Sequence, residues 1–226
     1  MVREIVVASW NMQGRDPAGI GLPEAVREWD ADVLLLQEVR GDQVRRALAA
    51  DWTCVSWPLG IAIASRAGHD ATGTAQGGVA GGKRPRLGWA RLNFDDGPIT
   101  VATVHLMSPP WPGTPGRRRT QRAAVAAWAV DRAAHGERVV IGGDLNTIDP
   151  ALDGLTPLSE ESGPTWRPLA VPWMRPIFRI DAVFGTGGID RASALVDDRW
   201  RGSDHCPVVV RIGPPVNAWP AVHDPC

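Results

Sequence analysis

The chain has 226 residues, of which 44% are hydrophobic and 22% charged, and its formal net charge is −1. This composition is that of a globular protein long enough to bury a core, and it excludes a disordered chain. The charge near zero excludes a global positive field that would attract nucleic acid, so an anionic partner must be held by local charge or by a metal.

Cysteine content and the first residues give expectations about the compartment. The three cysteines, Cys54, Cys206 and Cys226, are odd in number and far apart, which argues against a disulfide framework and for a reducing compartment. The stretch MVREIVVASWNMQG lacks the apolar core and cleavage site of a signal peptide. No segment reaches the ~20 apolar residues that span a bilayer. We therefore expect a cytoplasmic monomer that does not associate with membranes.

The first part of the chain alternates short apolar runs with amphipathic segments. Apolar, β-branched runs predict strands over 4–9, 32–39, 52–57 and 60–66, and helical spacing predicts helices over 23–31 and 42–50. Residues 67–85, rich in Gly and small polar residues, predict a surface loop or the end of a long hairpin.

The second part contains most of the remaining strands and the longest helix. A hairpin is predicted from 87–94 and 97–106, an Ala-rich helix over 117–134, and strands over 138–146, 178–184, 188–198 and 207–212. Residues 147–176 are rich in proline and predict loops. No repeat or linker divides the chain, so we expect one domain over 1–213 and an irregular tail over 214–226. Many strands with few helices favour two packed sheets with helices outside.

Polar residues repeatedly follow or end the apolar strands. They are Asn11, Glu38, His105, Asp144, Asn146 and Asp181, and the pair Asp204–His205 directly precedes the last strand. A single polar residue at a strand end is usually a solvated cap. Because these are all carboxylates, imidazoles or carboxamides, their repetition instead predicts a pocket where the strand ends converge at one rim.

The residue types indicate the chemistry of such a pocket. Carboxylate and carboxamide oxygens are hard ligands that suit Mg²⁺, with Mn²⁺ as a substitute, whereas zinc prefers His and Cys at short spacing. An imidazole beside a carboxylate serves as a general base or stabilises negative charge. Together these groups favour metal-dependent hydrolysis of a phosphoester.

The motifs SWNMQG, LLLQEV, TVHL, GGDLNT, PTW…RIDAVF and GSDHCPV occur in the order seen in the endonuclease/exonuclease/phosphatase superfamily. From about residue 4 to 212 the chain resembles these deoxyribonuclease I-like, metal-dependent phosphoesterases. The resemblance implies an α/β fold of the α+β kind: a four-layered sandwich of two mainly antiparallel β-sheets with helices on the outer faces.

The resemblance also implies roles for individual residues. Glu38 resembles the principal Mg²⁺ carboxylate, helped by Asn11 and Asp204. The positions that match catalytic groups are His105, Asp144, Asn146, Asp181 and His205. The general base stays open between Asp144 and His205, and His105 has the alternative of a buried structural histidine.

Further residues have both a functional and a structural interpretation. The basic run Arg117, Arg118, Arg119 and Arg122 follows the His105 loop, so it is either a solvated helix face or a contact to substrate phosphate. Trp111 either packs in its loop or stacks on a base or substrate ring. Cys206 adjoins His205 but, as its neighbour along a strand, points to the opposite face and is expected to be buried.

The sequence favours some substrate classes of this superfamily over others. The chain contains no tyrosine, which disfavours the abasic-site repair branch of the superfamily, and the absence of a signal sequence disfavours the secreted sphingomyelinase branch. We therefore expect an endonuclease of low sequence specificity that acts on nucleic acid. The alternatives are a phosphatase or phosphodiesterase of a small phosphorylated metabolite or lipid headgroup, and a catalytically inactive binding module.

Overall fold

The computed structural model describes residues 3–58, 60–75, 87–108, 114–168, 173–186, 188–199 and 201–213. The predicted tail over 214–226 and Trp111 lie outside the described residues, so these two predictions are not tested. In the described part of the chain, no helix is long and apolar enough to cross a membrane.

The described residues form twelve strands and three helices. In chain order they are β1 (Ile5–Asn11), α1 (Leu22–Trp29), β2 (Val33–Gln37), α2 (Gly41–Ala47), β3 (Thr53–Trp57), β4 (Ile61–Ser65), β5 (His69–Ala75), β6 (Leu87–Phe94), β7 (Gly97–His105), α3 (Thr114–Ala134), β8 (Val139–Asp144), β9 (Thr156–Pro157), β10 (Asp181–Gly185), β11 (Arg191–Val196) and β12 (Val208–Ile212).

The strands are divided between two six-stranded sheets. One sheet has the order β11-β12-β1-β2-β4-β3 and the other the order β5-β6-β7-β8-β10-β9. Each sheet has one parallel pair near its centre, β1 with β2 and β7 with β8, and its other pairs are antiparallel. The prediction of two mainly antiparallel sheets is therefore confirmed.

The fold has four layers, two sheets with helices on their outer faces, and three apolar clusters lie between these layers. Val7 and Leu35 of the first sheet share the central cluster with Val101 and Val183 of the second. The outer face of the first sheet packs on α1 and α2, and that of the second packs on α3. Because both faces of the central strands are covered, β1 and β2 are buried along their whole length. This explains why their sequences are nearly continuous apolar runs.

The residues of β5 were predicted to belong to a loop or hairpin end. They instead form a strand that pairs antiparallel with β6, from His69↔Leu92 to Ala75↔Leu87. The strand is at the edge of its sheet and is at most half-buried. An edge strand needs little apolar surface, so its sequence lacks the alternation that predicts a strand.

A buried carboxylate anchors helix α1 to the segment that follows β11. Asp197 accepts two hydrogen bonds from the Arg199 guanidinium at 2.7 Å each, one from the Arg199 backbone N–H at 3.3 Å and one from the Trp29 indole at 3.0 Å. Arg201 donates two more, at 2.9 and 3.0 Å. Burial opposes the charged carboxylate, but the hydrogen bonds from Arg199, Arg201 and Trp29 outweigh it and lower the pKa of Asp197 from 3.8 to about 2.

We expect Asp197→Asn to lower the free energy of unfolding at pH 7 by about 2 kcal/mol, the value of such a pKa difference. Because the folded-state pKa is depressed, this contribution is complete above the ordinary pKa and is lost as the pH falls towards about 2. Urea titrations should therefore show a difference between wild type and variant at pH 7 that shrinks as the pH falls from 3.8 towards about 2. The matched control is Glu161→Gln, whose ion pair with Arg191 is largely solvent-exposed and should leave the midpoint unchanged. A difference that persists at low pH would contradict the assignment.

Candidate active site

Strand register brings the predicted polar residues to one rim of the sandwich. In the parallel pair β1–β2, Asn11 is opposite Gln37, which places Glu38 one residue beyond the end of β2. In the parallel pair β7–β8, His105 is opposite Asp144. The carboxyl ends of all four strands therefore meet at this rim.

Asp181 reaches the same rim by a different route from the one predicted. The sequence predicts that Asp181 follows an apolar stretch within a strand over 178–184, whereas the structure begins β10 at Asp181. Because β10 runs antiparallel to β8, Asp181 lies directly opposite Asp144. The hydroxyl of Thr165 accepts from the backbone N–H of Asp181 at 3.1 Å and holds the start of the strand.

Asn11 connects the acidic groups of the two sheets. Its Nδ2 donates to Glu38 Oε1 and to Asp144 Oδ2, both at 3.0 Å, while its Oδ1 accepts from the backbone N–H of Gln13. The structure thus places the Asn11 amide as a donor to the carboxylates. Glu38 itself has a left-handed backbone, with φ of 52°, a strained conformation that is typical of functional sites.

Glu38, His105 and Asp144 form a group that can hold a cation. His105 Nε2 is 3.6 Å from Glu38 Oε1 and 3.8 Å from Asp144 Oδ2. Each of the three residues offers one ligand atom, and these atoms all lie within 4.8 Å of one another. Two carboxylates at this spacing fit a hard divalent ion such as Mg²⁺, so the residues present suit the metal that the family motifs imply.

Asp204 lies beside His205 rather than within that group. Its Oδ2 accepts from the Trp166 indole N–H at 3.1 Å, and its Oδ1 is 3.9 Å from His205 Nε2. Among the described residues, Asp204 Oδ1 is buried without a hydrogen-bond partner. A buried carboxylate oxygen in this state is costly unless a ligand, ion or water satisfies it.

His205 and Asp181 form a buried imidazole–carboxylate pair. The Nδ1 of His205 is 2.9 and 3.1 Å from the two carboxylate oxygens of Asp181. This contact assigns the Nδ1 proton to the Asp181 side. The other ring nitrogen, Nε2, is 3.9 Å from Asp144 Oδ2, and His205 lines the cleft. The pair therefore presents one nitrogen to a substrate in a fixed orientation.

The surroundings of Asp144 and His205 shift the pKa values of both side chains. Burial and, to a smaller extent, the Asp181 charge raise the pKa of the Asp144 carboxyl to about 7, against the attraction of His205. Burial opposes the imidazolium of His205, but the charge and hydrogen bond of Asp181 outweigh it and raise the pKa of His205 to about 10. Both shifts favour the protonated forms of these two facing groups. A bound cation would favour the carboxylate form of Asp144.

Asn146 orients Asp144. Its backbone N–H donates to Asp144 Oδ1 at 2.7 Å, and its Nδ2 donates to Asp144 Oδ2 and to the carbonyl of Leu106, both at 3.0 Å. Asn146 makes these bonds from a left-handed backbone, with φ of 51°, which asparagine tolerates better than most residues. Asn146 also lines the cleft.

The cleft over these groups has a volume of about 680 Å³. One part of its lining is an apolar wall: the rings of Trp166 and Phe178 stack at 6.1 Å between centroids and 21° between planes, and Ile148 and Ile180 also line the cleft. The sequence interpretation assigned no role to these residues. Trp166 belongs to the PTW motif, which could have marked it as a site residue. The sequence around Phe178 does not distinguish it from a core residue.

The arginines of the basic run point in different directions around helix α3. Arg118 lines the cleft, and its Nη1 donates to the Asn146 carbonyl at 2.6 Å. Arg117 and Arg119 are exposed, Arg122 is partly buried, and these three do not line the cleft. Of the four arginines predicted to contact substrate, the structure brings only Arg118 to the site.

Comparisons with known proteins agree with this geometry. Residues 8–205 match the model of the Endonuclease/Exonuclease/phosphatase family. A search of curated proteins by sequence finds no match. Solved structures with the same fold include D. rerio TDP2 complexed with a single strand DNA product (19% identity, TM-score 0.76, 94% of this chain and 100% of that chain).

Two bacterial structures described as endonuclease/exonuclease/phosphatase are also similar. The one from Bacteroides vulgatus has 12% identity and a TM-score of 0.77, over 94% of this chain and 99% of that chain. The one from Beutenbergia cavernae has 21% identity and a TM-score of 0.71, over 96% and 74%. The family model, which spans most of the sequence, and the rim of acids, amides and imidazoles lead to one conclusion: the chain belongs to the endonuclease/exonuclease/phosphatase family of metal-dependent phosphoester hydrolases.

Proposed function

We propose that the protein is a Mg²⁺-dependent nuclease of the deoxyribonuclease I type, which hydrolyses phosphodiester bonds with little sequence preference. One observation carries the proposal: a group suited to a cation, Glu38, His105 and Asp144, adjoins the buried Asp181–His205 pair in a single cleft. The first group can neutralise a phosphate, and the second can place a positively charged nitrogen beside it.

The roles of the residues follow from their contacts. When bound, a divalent ion held by Glu38 and Asp144 would supply Lewis-acid neutralisation of the phosphate charge. His205 stabilises negative charge that develops on phosphorus-bound oxygen, and Asp181 holds its orientation. The Asp144 carboxylate accepts the proton that the attacking water loses, and the imidazolium of His205, whose Nε2 lies 3.9 Å from Asp144 Oδ2, donates a proton to the leaving oxygen. Asn146 keeps Asp144 in position.

The apolar wall supports a substrate with a flat or ring-shaped part beside the phosphate. Trp166 and Phe178 offer stacked aromatic surface in the cleft, and stacking on aromatic side chains tolerates any base. The similar D. rerio TDP2 structure holds a single strand DNA product, which supports nucleic acid as the substrate class. We also propose that the protein acts as a monomer in the cytoplasm, a reducing compartment, because its three cysteines are too far apart in the sequence to form a disulfide framework.

We expect the protein to nick and so relax supercoiled plasmid in the presence of Mg²⁺ or Mn²⁺. This nicking should cease when EDTA removes the metal. Gel electrophoresis of the nicked form measures the rate. Turnover that requires the metal would also eliminate the binding-module alternative. Folded protein that leaves plasmid, single-stranded DNA and RNA intact at every Mg²⁺ concentration would overturn the nuclease assignment.

A second candidate is a phosphatase or phosphodiesterase of a small phosphorylated metabolite or lipid headgroup. It is favoured by the net charge of −1 and by the lining of the cleft, in which Arg118 is the only arginine among the residues that the structure describes, because nonspecific nucleic-acid binding depends on several basic contacts. Salt separates the two candidates. Cleavage of a polymer should fall steeply between about 50 and 200 mM salt, whereas turnover of a small phosphoester should change little.

A further inference from the structure

Helix α3 directs one of its arginines into the cleft. Gln121, Val125 and Ala129 are buried on the face that packs against the second sheet, and Arg118 continues this face by one turn. Gln121 Oε1 accepts from the backbone N–H of Met107 at 3.1 Å. That bond anchors the start of the helix to the segment leaving β7, so Arg118 belongs to a fixed part of the rim.

The guanidinium of Arg118 has unused capacity for an anion. Its Nη1 donates to the Asn146 carbonyl at 2.6 Å, which occupies one of the five N–H donors of an arginine. Within the described ranges, Arg118 has no carboxylate within ion-pair distance, whereas Arg132 and Arg179 pair with Glu137 and Asp149. A planar donor group of this kind matches the oxygens of a phosphate.

The order of the strands places this guanidinium at one side of the reacting groups. In the sheet order β7-β8-β10, Arg118 reaches the segment after β8 from the helix that follows β7. Phe178, of the apolar wall, and Asp181, the partner of His205, approach from the β10 side. The scissile position therefore has an aromatic surface at one side and a positive group at the other.

We propose that Arg118 binds a second phosphate group, adjacent to the one that is hydrolysed, and so makes the enzyme prefer substrates with two phosphates in series. The inference rests on the proposed function, because it takes the Asp181–His205 side of the cleft as the scissile position. The second phosphate can be an internal diester of a nucleic acid strand or the terminal phosphate of a small molecule. Both have the charge and oxygens that Arg118 recognises.

Three thymidine ligands test the proposal: TpT with one phosphodiester, TpTpT with two, and pTpT with one diester and a terminal phosphate. We expect kcat/KM of wild type for the two-phosphate substrates to exceed that for TpT by about tenfold or more, the value of a charge-assisted bond. In Arg118→Gln most of this preference should disappear through a higher KM. A gain with pTpT alone identifies a terminal phosphate as the target, and a gain with TpTpT identifies an internal diester.

The matched control is Arg119→Gln, which removes the same charge from the next, exposed position of α3 and should keep the preference within about twofold. The proposal is overturned if wild type shows no preference, or if Arg118→Gln loses kcat equally on all three substrates. The second result would mean that Arg118 only positions Asn146.

Failure of the proposed nuclease function can be distinguished from failure of the second phosphate site. If wild type hydrolyses none of the three ligands, the nuclease assignment fails, and calorimetric titration of the same ligands in the same buffer still tests Arg118. Tighter binding of pTpT or of TpTpT than of TpT by wild type, lost in Arg118→Gln, supports the second phosphate site. Equal dissociation constants for all three ligands overturn it.

Discussion

Replacing His205 with alanine is expected to lower the rate of phosphodiester hydrolysis by about 10³-fold, within the range for loss of a positioned acid–base or charge-stabilising group. The imidazole is held by Asp181 at 2.9 Å and presents Nε2 beside Asp144, so its positive charge has a fixed position in the cleft. The effect should appear in kcat, since the charge is needed most as negative charge develops in the transition state. Plasmid nicking and turnover of TpT measure the loss.

The matched control is His135→Ala, which removes an exposed imidazole at the end of α3 and should leave turnover unchanged. His205→Ala leaves Asp181 buried without its partner, so His205→Gln, which keeps a hydrogen-bonding side chain, should also be made. The near-ultraviolet circular dichroism of the tryptophans reports whether either variant is folded. Full activity in a folded His205 variant would remove His205 from the mechanism.

The second large effect is expected from Glu38→Gln, which keeps the shape of the side chain and removes one of the two carboxylate charges of the candidate cation group. Activity at a fixed, low Mg²⁺ concentration should fall by about 10²-fold, as for other losses within a metal site. Part of the loss should be recovered at high Mg²⁺, because weaker binding can be compensated by concentration. Activity measured against Mg²⁺ concentration gives the shift of the midpoint.

Calorimetric titration with Mg²⁺ gives the same comparison without substrate, so that a loss of affinity is separated from a loss of catalysis. Glu24→Gln, on the exposed face of α1 with Arg27 as its partner, is the control and should keep the wild-type midpoint. An unchanged Mg²⁺ midpoint in Glu38→Gln would show that the cation is held elsewhere.

Much of the fold follows from local pattern. The apolar runs of β1 and β2 predict buried strands because both of their faces are covered, and the Ala-rich stretch of α3 predicts a helix to within three residues at its start. The edge strand β5 could not be predicted in this way. Its stability comes from pairing with β6 and from little burial of its own side chains, so its residues carry no apolar alternation.

For the candidate active site too, some features follow from the sequence and others only from the tertiary structure. The sequence by itself determined which acids, amides and imidazoles follow or adjoin the buried strands, because a polar side chain directly next to an apolar run is visible without coordinates. Only the tertiary structure decided how they combine. The pairing of β10 with β8 places Asp181 opposite Asp144, where its carboxylate also contacts His205. The phase of α3 directs Arg118 into the cleft, while Arg117 and Arg119 are exposed. The stacking of Trp166 on Phe178 joins residues from separate loop segments. The first two contacts depend on strand register and helix phase, and the third depends on how two loops pack. Long-range packing sets all three, and no local pattern of residues records it.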